Sequence, residues 1–358
     1  MRVLVTGHRG YIGSVLTCVL RHARFDVVGL DCDYYRDCSF GRIDESVPSF
    51  EGDVRDIDFS DLSSFDAVVH LAAIPEPCGD DAGARRAAEQ NRDMAIELAE
   101  KARLASVSRF LLASSTSVYG RGGGFVFDED DHPGPVDVSG KLQMEAEHAV
   151  LSMASRFGRT SAETGGFEPV IMRIGEVYGV SPRLSLDPVV NDMVGAAVAT
   201  GRVVLNRGGG GWRSLIHIED LSRAIACLLK ASAGNAGGQV FNLTCPDEHY
   251  QLVDIADQVT DLMPLVTRSV LWDDADLRSC RTNGSKLTRV FDAFQYRWKL
   301  PLGIQQLRSA FGSSGIAPGE FRSDRYRRAQ RMAALMDQGT VDRSFRFAAG
   351  AAFEDQVA

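Results

Sequence analysis

The stretch that decides the fold is Val3-Leu4-Val5-Thr6-Gly7-His8-Arg9-Gly10-Tyr11-Ile12-Gly13, at the start of the chain. An apolar run typical of a strand leads into a turn with glycines at 7, 10 and 13, and Tyr11–His22 then has helical spacing. In such a unit Gly7 permits a tight turn, Gly10 lets the backbone approach a pyrophosphate, and Gly13 lets the helix pack closely on the strand. The helix N-terminus presents free N–H groups to phosphates. The stretch therefore predicts a dinucleotide site.

The alternation of strands and helices continues along the chain. Further strands are predicted at Asp26–Asp31, Ala67–Leu71, Arg109–Ala113 and Glu168–Ile174, and helices at Ala84–Ala105, Asp137–Phe157, Asp220–Lys230 and Leu252–Leu262. This rhythm predicts right-handed βαβ units and an α/β fold with a doubly wound parallel sheet. We expect a Rossmann domain at 1–180, to which parts of 215–245 return, and a smaller α/β substrate-binding domain at 181–312.

The remaining segments are less regular. Gly208–Gly211 is predicted to be a loop. Residues 313–358 form a C-terminal extension, in which the basic and polar stretch Arg322–Arg331 is interpreted as a solvated terminal helix or a frayed tail.

Composition limits the classes of partner. The formal net charge is -9, so nucleic acid and anionic membranes are not expected partners. The N-terminus is typical of a strand rather than of a signal peptide, and no apolar run reaches the ~18 residues of a membrane span. The 7 cysteines form no CxxC pair and suggest neither a disulfide framework nor a metal site. We therefore expect a cytoplasmic protein without a bound metal.

Asp31, at the end of the second predicted strand, indicates which dinucleotide binds. A carboxylate there accepts hydrogen bonds from both ribose hydroxyls of NAD and repels the 2′-phosphate of NADP. Arg9 and Arg24 leave room for NADP, but the aspartate favours NAD.

At this point the chain resembles the extended short-chain dehydrogenase/reductase superfamily, in its NAD-dependent nucleotide-sugar epimerase/dehydratase family. The motifs that carry the resemblance are the three glycines, Gly52–Asp56, His70–Ala73, Asn91, Ser114–Gly120, Arg173–Gly179 and Arg213–Asp220. The resemblance implies a set of cofactor-binding residues. These are Gly7, Arg9, Gly10, Tyr11, Ile12, Gly13, Asp31, Asp53, Val54, Leu71, Ala72, Ala73, Asn91 and Lys141.

The resemblance also implies catalytic residues, of which one is changed. The family uses a Ser or Thr, a tyrosine that exchanges the sugar hydroxyl proton, and a lysine four residues later that binds the nicotinamide ribose. Here Ser115 matches the hydroxyl and Lys141 the lysine, and the tyrosine position is occupied by Asp137. The i, i+4 spacing would place Asp137 and Lys141 on one helix face. An aspartate can act as a base at neutral pH, but it is a poor acid.

Several interpretations of this replacement remain open. Asp137 or another group, such as Tyr119 or Tyr178, handles the proton; the substrate or a water supplies it; or redox chemistry is lost and the protein only binds its ligands. A fourth interpretation is that the tyrosine was replaced deliberately to trap a complex. Family dehydratases carry Asp-Glu where this chain has Thr116 and Ser117, so a 4,6-dehydratase is disfavoured.

The substrate implied is a nucleotide-diphosphate sugar, held by a set of polar side chains. These are Ser115, Thr116, Glu176, Arg183, Asn191, Arg213 and Arg278. Arg213 would clamp the diphosphate, since a guanidinium matches phosphate bidentately. Glu176 stands where many family members have asparagine.

The sequence thus predicts an NAD-dependent nucleotide-sugar epimerase or related oxidoreductase with atypical acid/base chemistry. The alternatives are a catalytically silent NAD- or nucleotide-sugar-binding protein and a ketosugar reductase of secondary metabolism. The resemblance also implies a homodimer through the helices near 84–105 and 137–157.

Overall fold

The structure, a computed structural model, describes residues 1–155, 166–205, 209–270 and 279–348. In chain order the strands are β1 Arg2–Thr6, β2 Asp26–Asp31, β3 Ser49–Glu51, β4 Ala67–His70, β5 Arg109–Ser115, β6 Val126–Phe127, β7 Glu168–Ile174, β8 Glu176–Tyr178, β9 Arg202–Leu205, β10 Trp212–His217, β11 Gln239–Leu243, β12 His249–Gln251, β13 Thr267–Val270 and β14 Arg281–Thr282. The helices are α1 Tyr11–His22, α2 Phe59–Leu62, α3 Asp81–Leu104, α4 Val138–Ser155, α5 Val189–Thr200, α6 Ile218–Lys230, α7 Ala233–Ala236, α8 Leu252–Leu262, α9 Ser285–Val290, α10 Leu300–Ser314, α11 Pro318–Phe321 and α12 Arg328–Asp337.

The centre of the fold is a seven-stranded sheet in the order β11-β7-β5-β4-β1-β2-β3, and every adjacent pair in it is parallel. Both faces of the sheet are covered. Val3 and Val5 of β1 belong to one apolar cluster and Leu4 to another on the opposite face. Successive strand side chains point to opposite faces, so a strand buried on both sides is a continuous apolar run. The predicted α/β fold with a doubly wound parallel sheet is confirmed.

The residues beyond the sheet build a second wall. A three-stranded sheet, β12-β10-β8, runs beside two two-stranded pairs, β13-β9 and β14-β6. A third apolar cluster packs helices α5, α8 and α10 against this region, through residues such as Val194, Ile255 and Leu307. Because β8 directly follows β7, this wall lies at the carboxyl edge of the parallel strands, where ligands bind in such folds.

The predicted bounds of several strands and helices agree with the observed ones. The bounds of Tyr11–His22, Asp26–Asp31, Glu168–Ile174 and Leu252–Leu262 are the observed ones. The predicted end of the helix at Asp137–Phe157 and the first residue of the glycine loop, Gly208, lie outside the described residues.

The C-terminal extension differs from its prediction as a solvated helix. In α12, Met332 and Leu335 are buried, and Phe345 further on is fully buried in the same cluster as Leu4. The Tyr34 hydroxyl donates a hydrogen bond of 2.6 Å to the Phe345 carbonyl. The arginines suggested a solvated face, but Arg328 and Arg331 lie one turn before Met332 and Leu335 on the same side of the helix, and the Arg328 guanidinium donates a hydrogen bond of 2.7 Å to the Arg183 carbonyl. The prediction of a solvated helix is wrong.

No helix among the described residues combines the length and apolar character that a membrane crossing requires.

Candidate active site

The glycine turn has the geometry of a phosphate cradle. Gly7 has φ +73°, a left-handed conformation that favours glycine, and a Cβ there would lie 2.8 Å from the backbone nitrogen of Ala72. A Cβ on Gly13 would lie 2.1 Å from the Gly7 carbonyl oxygen. At the N-terminus of α1, Gly10 provides no side-chain cap, so the first N–H groups of the helix are available to an anion.

An adjoining cleft of about 100 Å³ fits the adenosine half of a dinucleotide. Seven of the 15 residues that line it are predicted to bind the cofactor: Gly7, Asp31, Asp53, Val54, Leu71, Ala72 and Ala73. The Asp31 carboxylate accepts hydrogen bonds from the backbone N–H groups of Arg9, at 2.9 Å, and Asp33, at 2.7 Å. These contacts fix its orientation at the end of β2. The glycine cradle, the apolar slot and the oriented carboxylate fit NAD.

Three further residues predicted to bind the cofactor, Arg9, Tyr11 and Ile12, lie on or next to the glycine turn. The Arg9 guanidinium pairs with Asp33 at 2.8 Å, and the Tyr11 hydroxyl donates to the Gly179 carbonyl. Ile12 lines a shallow cleft beside Gly13.

Asn91, on α3, pins the loop that follows β4. Its side chain accepts a hydrogen bond from the Ile74 N–H at 2.7 Å and donates to the Ile74 carbonyl at 2.9 Å. It also lines a small cleft of about 120 Å³ between the end of β4 and helix α4.

A larger cleft of about 750 Å³ lies at the carboxyl edge of the sheet. Five predicted residues line it: Ser115, Thr116, Asp137, Glu176 and Arg213. Ser115 ends β5, and its hydroxyl accepts a hydrogen bond from the Ser117 N–H at 3.1 Å. Asp137 immediately precedes α4, and its carboxylate accepts a hydrogen bond from the Gly140 N–H at 2.7 Å. The structure thus brings the candidate hydroxyl and the candidate carboxylate to one cleft.

Helix α4 presents Ser139 and Gln143, rather than Lys141, to the small cleft beside Asn91. Ser139 and Gln143 both line the small cleft with Leu71–Ala73, and both also line the large cleft. Lys141 is exposed and lines neither cleft. Two residues along a helix turn by about 200°, so Lys141 lies on the face opposite Ser139. The inward i, i+4 pair is therefore Ser139 and Gln143, and the structure does not place Lys141 at the cofactor.

The phase of α4 is fixed by a buried ion pair one turn further on. Glu147 is fully buried and receives hydrogen bonds from Arg173 on β7, with the closest at 2.8 Å, and from the Ser114 hydroxyl. Ser139, Gln143 and Glu147 follow one another at intervals of four, so the inward position of Glu147 places the other two on the same face.

The tyrosines proposed as substitute acids are committed elsewhere. The Tyr119 hydroxyl contacts Asn242 at 2.8 Å and Arg173 at 2.9 Å, and its pKa is raised to about 12 because the ring is buried. Tyr178 is 1% exposed and packs against the His217 ring. Neither lines the large cleft.

Two predicted substrate residues are structural instead. Arg183 is 2% exposed and pairs with Asp33 at 3.0 Å, behind the cofactor loop. Asn191 is fully buried, where its amide oxygen accepts from the Gly179 N–H and its amide nitrogen donates to the Ser185 carbonyl. Neither lines the cleft because both are used to brace neighbouring backbone. Arg278 lies outside the described residues.

Among the lining residues that sequence reasoning missed are Ser139, Gln143 and Glu76. For the first two, the spacing to Glu147 was an available signal. For Glu76, on the loop after β4, the motif around it carries no such signal.

Comparisons with known proteins agree with this geometry. The family model described as the NAD dependent epimerase/dehydratase family matches residues 3–244. A UDP-glucose 4-epimerase of Corynebacterium glutamicum is 29% identical over 279 residues, which are 73% of this chain and 80% of that protein.

Solved structures show the same fold. MoeE5, described in complex with UDP-glucuronic acid and NAD, superposes with a TM-score of 0.74 at 25% identity, over 88% of this chain and 100% of that one. UDP-glucuronic acid 4-epimerase from Bacillus cereus, in complex with NAD, gives a TM-score of 0.71 at 22% identity, over 87% of this chain and 99% of that one.

The family match runs from β1 to the end of the sheet and includes the glycine turn, the Asp31 strand end and the Ser115 segment. The chain belongs to the NAD-dependent epimerase/dehydratase family.

Proposed function

We propose that this protein binds NAD and a nucleotide-diphosphate sugar and acts as an epimerase or related oxidoreductase. The observation that carries the proposal is the junction of two clefts, a glycine cradle that fits NAD and a larger cleft lined by Ser115 and Arg213. NAD, held at the glycine cradle, would supply the hydride acceptor and donor for a carbon of the sugar. The relatives named above support the substrate class.

The chemistry of the polar residues at the clefts gives each of them a different role in binding. Arg213 contributes a guanidinium that suits a diphosphate, while Glu176, 3.8 Å from it and bonded to the Val189 N–H, fixes its position. Ser115 is oriented by the Ser117 N–H and holds a sugar oxygen through its hydroxyl proton. Gln143 offers an uncharged amide to the nicotinamide ribose, where the family has an ammonium group.

The experiment that tests this function is turnover of a panel of UDP-, TDP-, GDP- and CDP-hexoses with NAD present. We expect one class to give an epimerised or oxidised sugar, read by chromatography and mass spectrometry. A matched variant, Ser115→Ala, should lower the rate by about 10²-fold or more, because a positioned proton donor is lost. Turnover by the variant at the parent rate would contradict the assignment of Ser115.

A second candidate function is a catalytically silent binder of NAD and nucleotide sugars. It is favoured by Ser139 and Gln143, which give the cofactor face of α4 neither a tyrosine nor a lysine. Calorimetry distinguishes the two candidates. Tight binding of NAD and of a nucleotide sugar, with no product from any member of the panel, would support the silent protein.

We also propose the finer points of organisation. The parallel sheet and its helices form the NAD-binding domain at 1–180 with 215–245, residues 181–312 form the substrate domain, and the extension begins at 313. The seven cysteines are free, which supports a cytoplasmic location.

A homodimer through the outer faces of α3 and α4 is part of the same proposal. Those faces carry both signs of charge, with Arg85 and Lys141 exposed beside Asp93 and Glu145, as a self-complementary isologous interface requires. Sedimentation equilibrium should give twice the chain mass of 38.9 kDa, and a species of single chain mass would contradict the dimer.

A further inference from the structure

Among the carboxylates that line the large cleft, Glu76 is the one that has no hydrogen-bond or ion-pair partner within the described residues. It lines the cleft that Ser115 lines, is partly buried, and makes no hydrogen bond or ion pair within the part of the chain that the structure describes. A carboxylate in a cleft without a protein partner is available to a ligand.

The other carboxylates of this cleft are engaged in holding the protein together. Asp137 accepts from the Gly140 N–H, and Glu176 accepts from the Val189 N–H. On the far wall, Asp187 accepts from the N–H of Arg328 at 2.9 Å, and Asp192 pairs with the guanidinium of Arg327 at 2.6 Å.

The backbone that carries Glu76 is held rigidly. The residue lies between Pro75 and Pro77, whose rings fix φ and restrict the residue before each of them. One residue before Pro75, the backbone of Ile74 is bonded on both its N–H and its carbonyl to the Asn91 side chain. A proton-transfer group must be held in place to be effective, and this loop provides that.

Apart from its carboxylates, the cleft offers few groups that could transfer a proton. Ser139 and Gln143, on the cofactor face of α4, do not titrate near neutral pH. The Cys280 thiol lines the cleft, but burial raises its pKa to about 11.

We propose that Glu76 is the catalytic acid/base residue of this protein, in place of the tyrosine that the family uses. The assignment rests on the proposed function. Its carboxylate takes the proton of a sugar hydroxyl as the neighbouring C–H bond breaks and the hydrogen leaves with its electron pair to NAD⁺. The C=O bond forms, the sugar is oxidised and NAD⁺ is reduced. In the reverse step the protonated Glu76 returns its proton to the oxygen as the carbon regains the hydride.

The test compares Glu76→Gln, Glu76→Asp and the control Glu45→Gln. Glu45 is an exposed glutamate in the loop between β2 and β3 and lines neither cleft. The probes are UDP-glucose and UDP-galactose and their TDP counterparts, with the hydride step followed as reduction of bound NAD at 340 nm and by product analysis. We expect kcat to fall by about 10²- to 10³-fold in Glu76→Gln and to be unchanged in Glu45→Gln.

The pH profile gives the readout that a structural role would not change. The parent and Glu76→Asp, which both carry a carboxylate at this position, should share an acid limb in the pH dependence of kcat/KM, and that limb should be absent from Glu76→Gln. The other titratable groups on the wall, which are Asp137, Glu176, Asp187, Asp192, Cys280 and Arg213, are the same in all variants. An acid limb in Glu76→Gln that coincides with the limb of the parent would belong to one of these other groups and would overturn the assignment.

The remaining outcomes separate the two proposals. If the parent turns over a probe and Glu76→Gln does so at a rate within threefold, the Glu76 assignment fails and the proposed function stands. If Glu76→Gln loses affinity for UDP or NAD in calorimetry, Glu76 is a binding residue and the assignment also fails. If the parent binds UDP and NAD but converts none of the probes, the proposed function fails for these sugars, and the catalytic role of Glu76 fails with it.

Discussion

Replacing Gly13 with alanine is expected to lower the affinity for NAD by about 100-fold or more, which corresponds to about 2.7 kcal/mol. The added Cβ would lie 2.1 Å from the Gly7 carbonyl oxygen and 2.7 Å from the Cα of His8. Both atoms belong to backbone, so no side chain can swing away to relieve the clash. The turn must open or α1 must move off β1, and either change withdraws the N–H groups that face the pyrophosphate. Titration calorimetry with NAD measures the loss.

The matched control is Gly312→Ala. Gly312 lies in α10, far along the chain from the cofactor turn, and a Cβ there meets no atom within 4 Å. Alanine is a better helix former than glycine, so this variant should retain parent affinity and gain slightly in stability. Circular dichroism on both variants separates lost binding from lost folding. If folded Gly13→Ala bound NAD within threefold of the parent, the cofactor would not lie on this turn.

Prediction and structure agree best where a single short stretch of sequence determines the local conformation. The strand, the glycine turn and the first helix lie within 22 residues, and each glycine has a local steric role. The same is true of Asp31, which is placed by the end of β2. Short stretches of sequence determine local geometry of this kind, so the dinucleotide site and the α/β fold could be predicted.

The identity of the inward face of α4 could not be read from the residues near Asp137 alone. A lysine suggested one alignment, but the rotation of a helix is set by the side chains it buries. Glu147 carries a charge yet is inward, because Arg173 lies opposite it on β7. That contact joins residues 26 positions apart, and a motif search centred on Lys141 does not include it.

The burial of the C-terminal extension could not be predicted from its sequence for a similar reason. Its apolar residues are few, and their partners are at the other end of the chain. The hydrogen bond from Tyr34 to Phe345 joins residues 311 positions apart. The Arg55 side chain also donates to the carbonyl of Phe345, at 2.9 Å, so this part of the extension lies against the segment that carries Asp53. Contacts at such separations leave no local pattern.

Replacing Glu147 with alanine is expected to lower the free energy of unfolding by about 3–5 kcal/mol, because it leaves the Arg173 guanidinium buried without its counter-charge. Glu147 is 0% exposed and Arg173 is 4% exposed, so water cannot take the place of the lost carboxylate. Arg173 keeps its bond to the Tyr119 hydroxyl, but a neutral oxygen does not balance a buried cation. Urea unfolding followed by circular dichroism and by tryptophan fluorescence measures the change.

The matched control is Glu145→Ala, two residues earlier on the same helix. Glu145 is 55% exposed at its side chain and pairs with Arg92 at 3.1 Å, an exposed ion pair worth about 0–1 kcal/mol. Helix propensity changes equally in the two variants, so the difference between them reports burial alone. A difference below about 1 kcal/mol would mean that Glu147 is not inward. Since Ser139 and Gln143 share its face, that result would remove them from the cofactor cleft and reopen the position of Lys141.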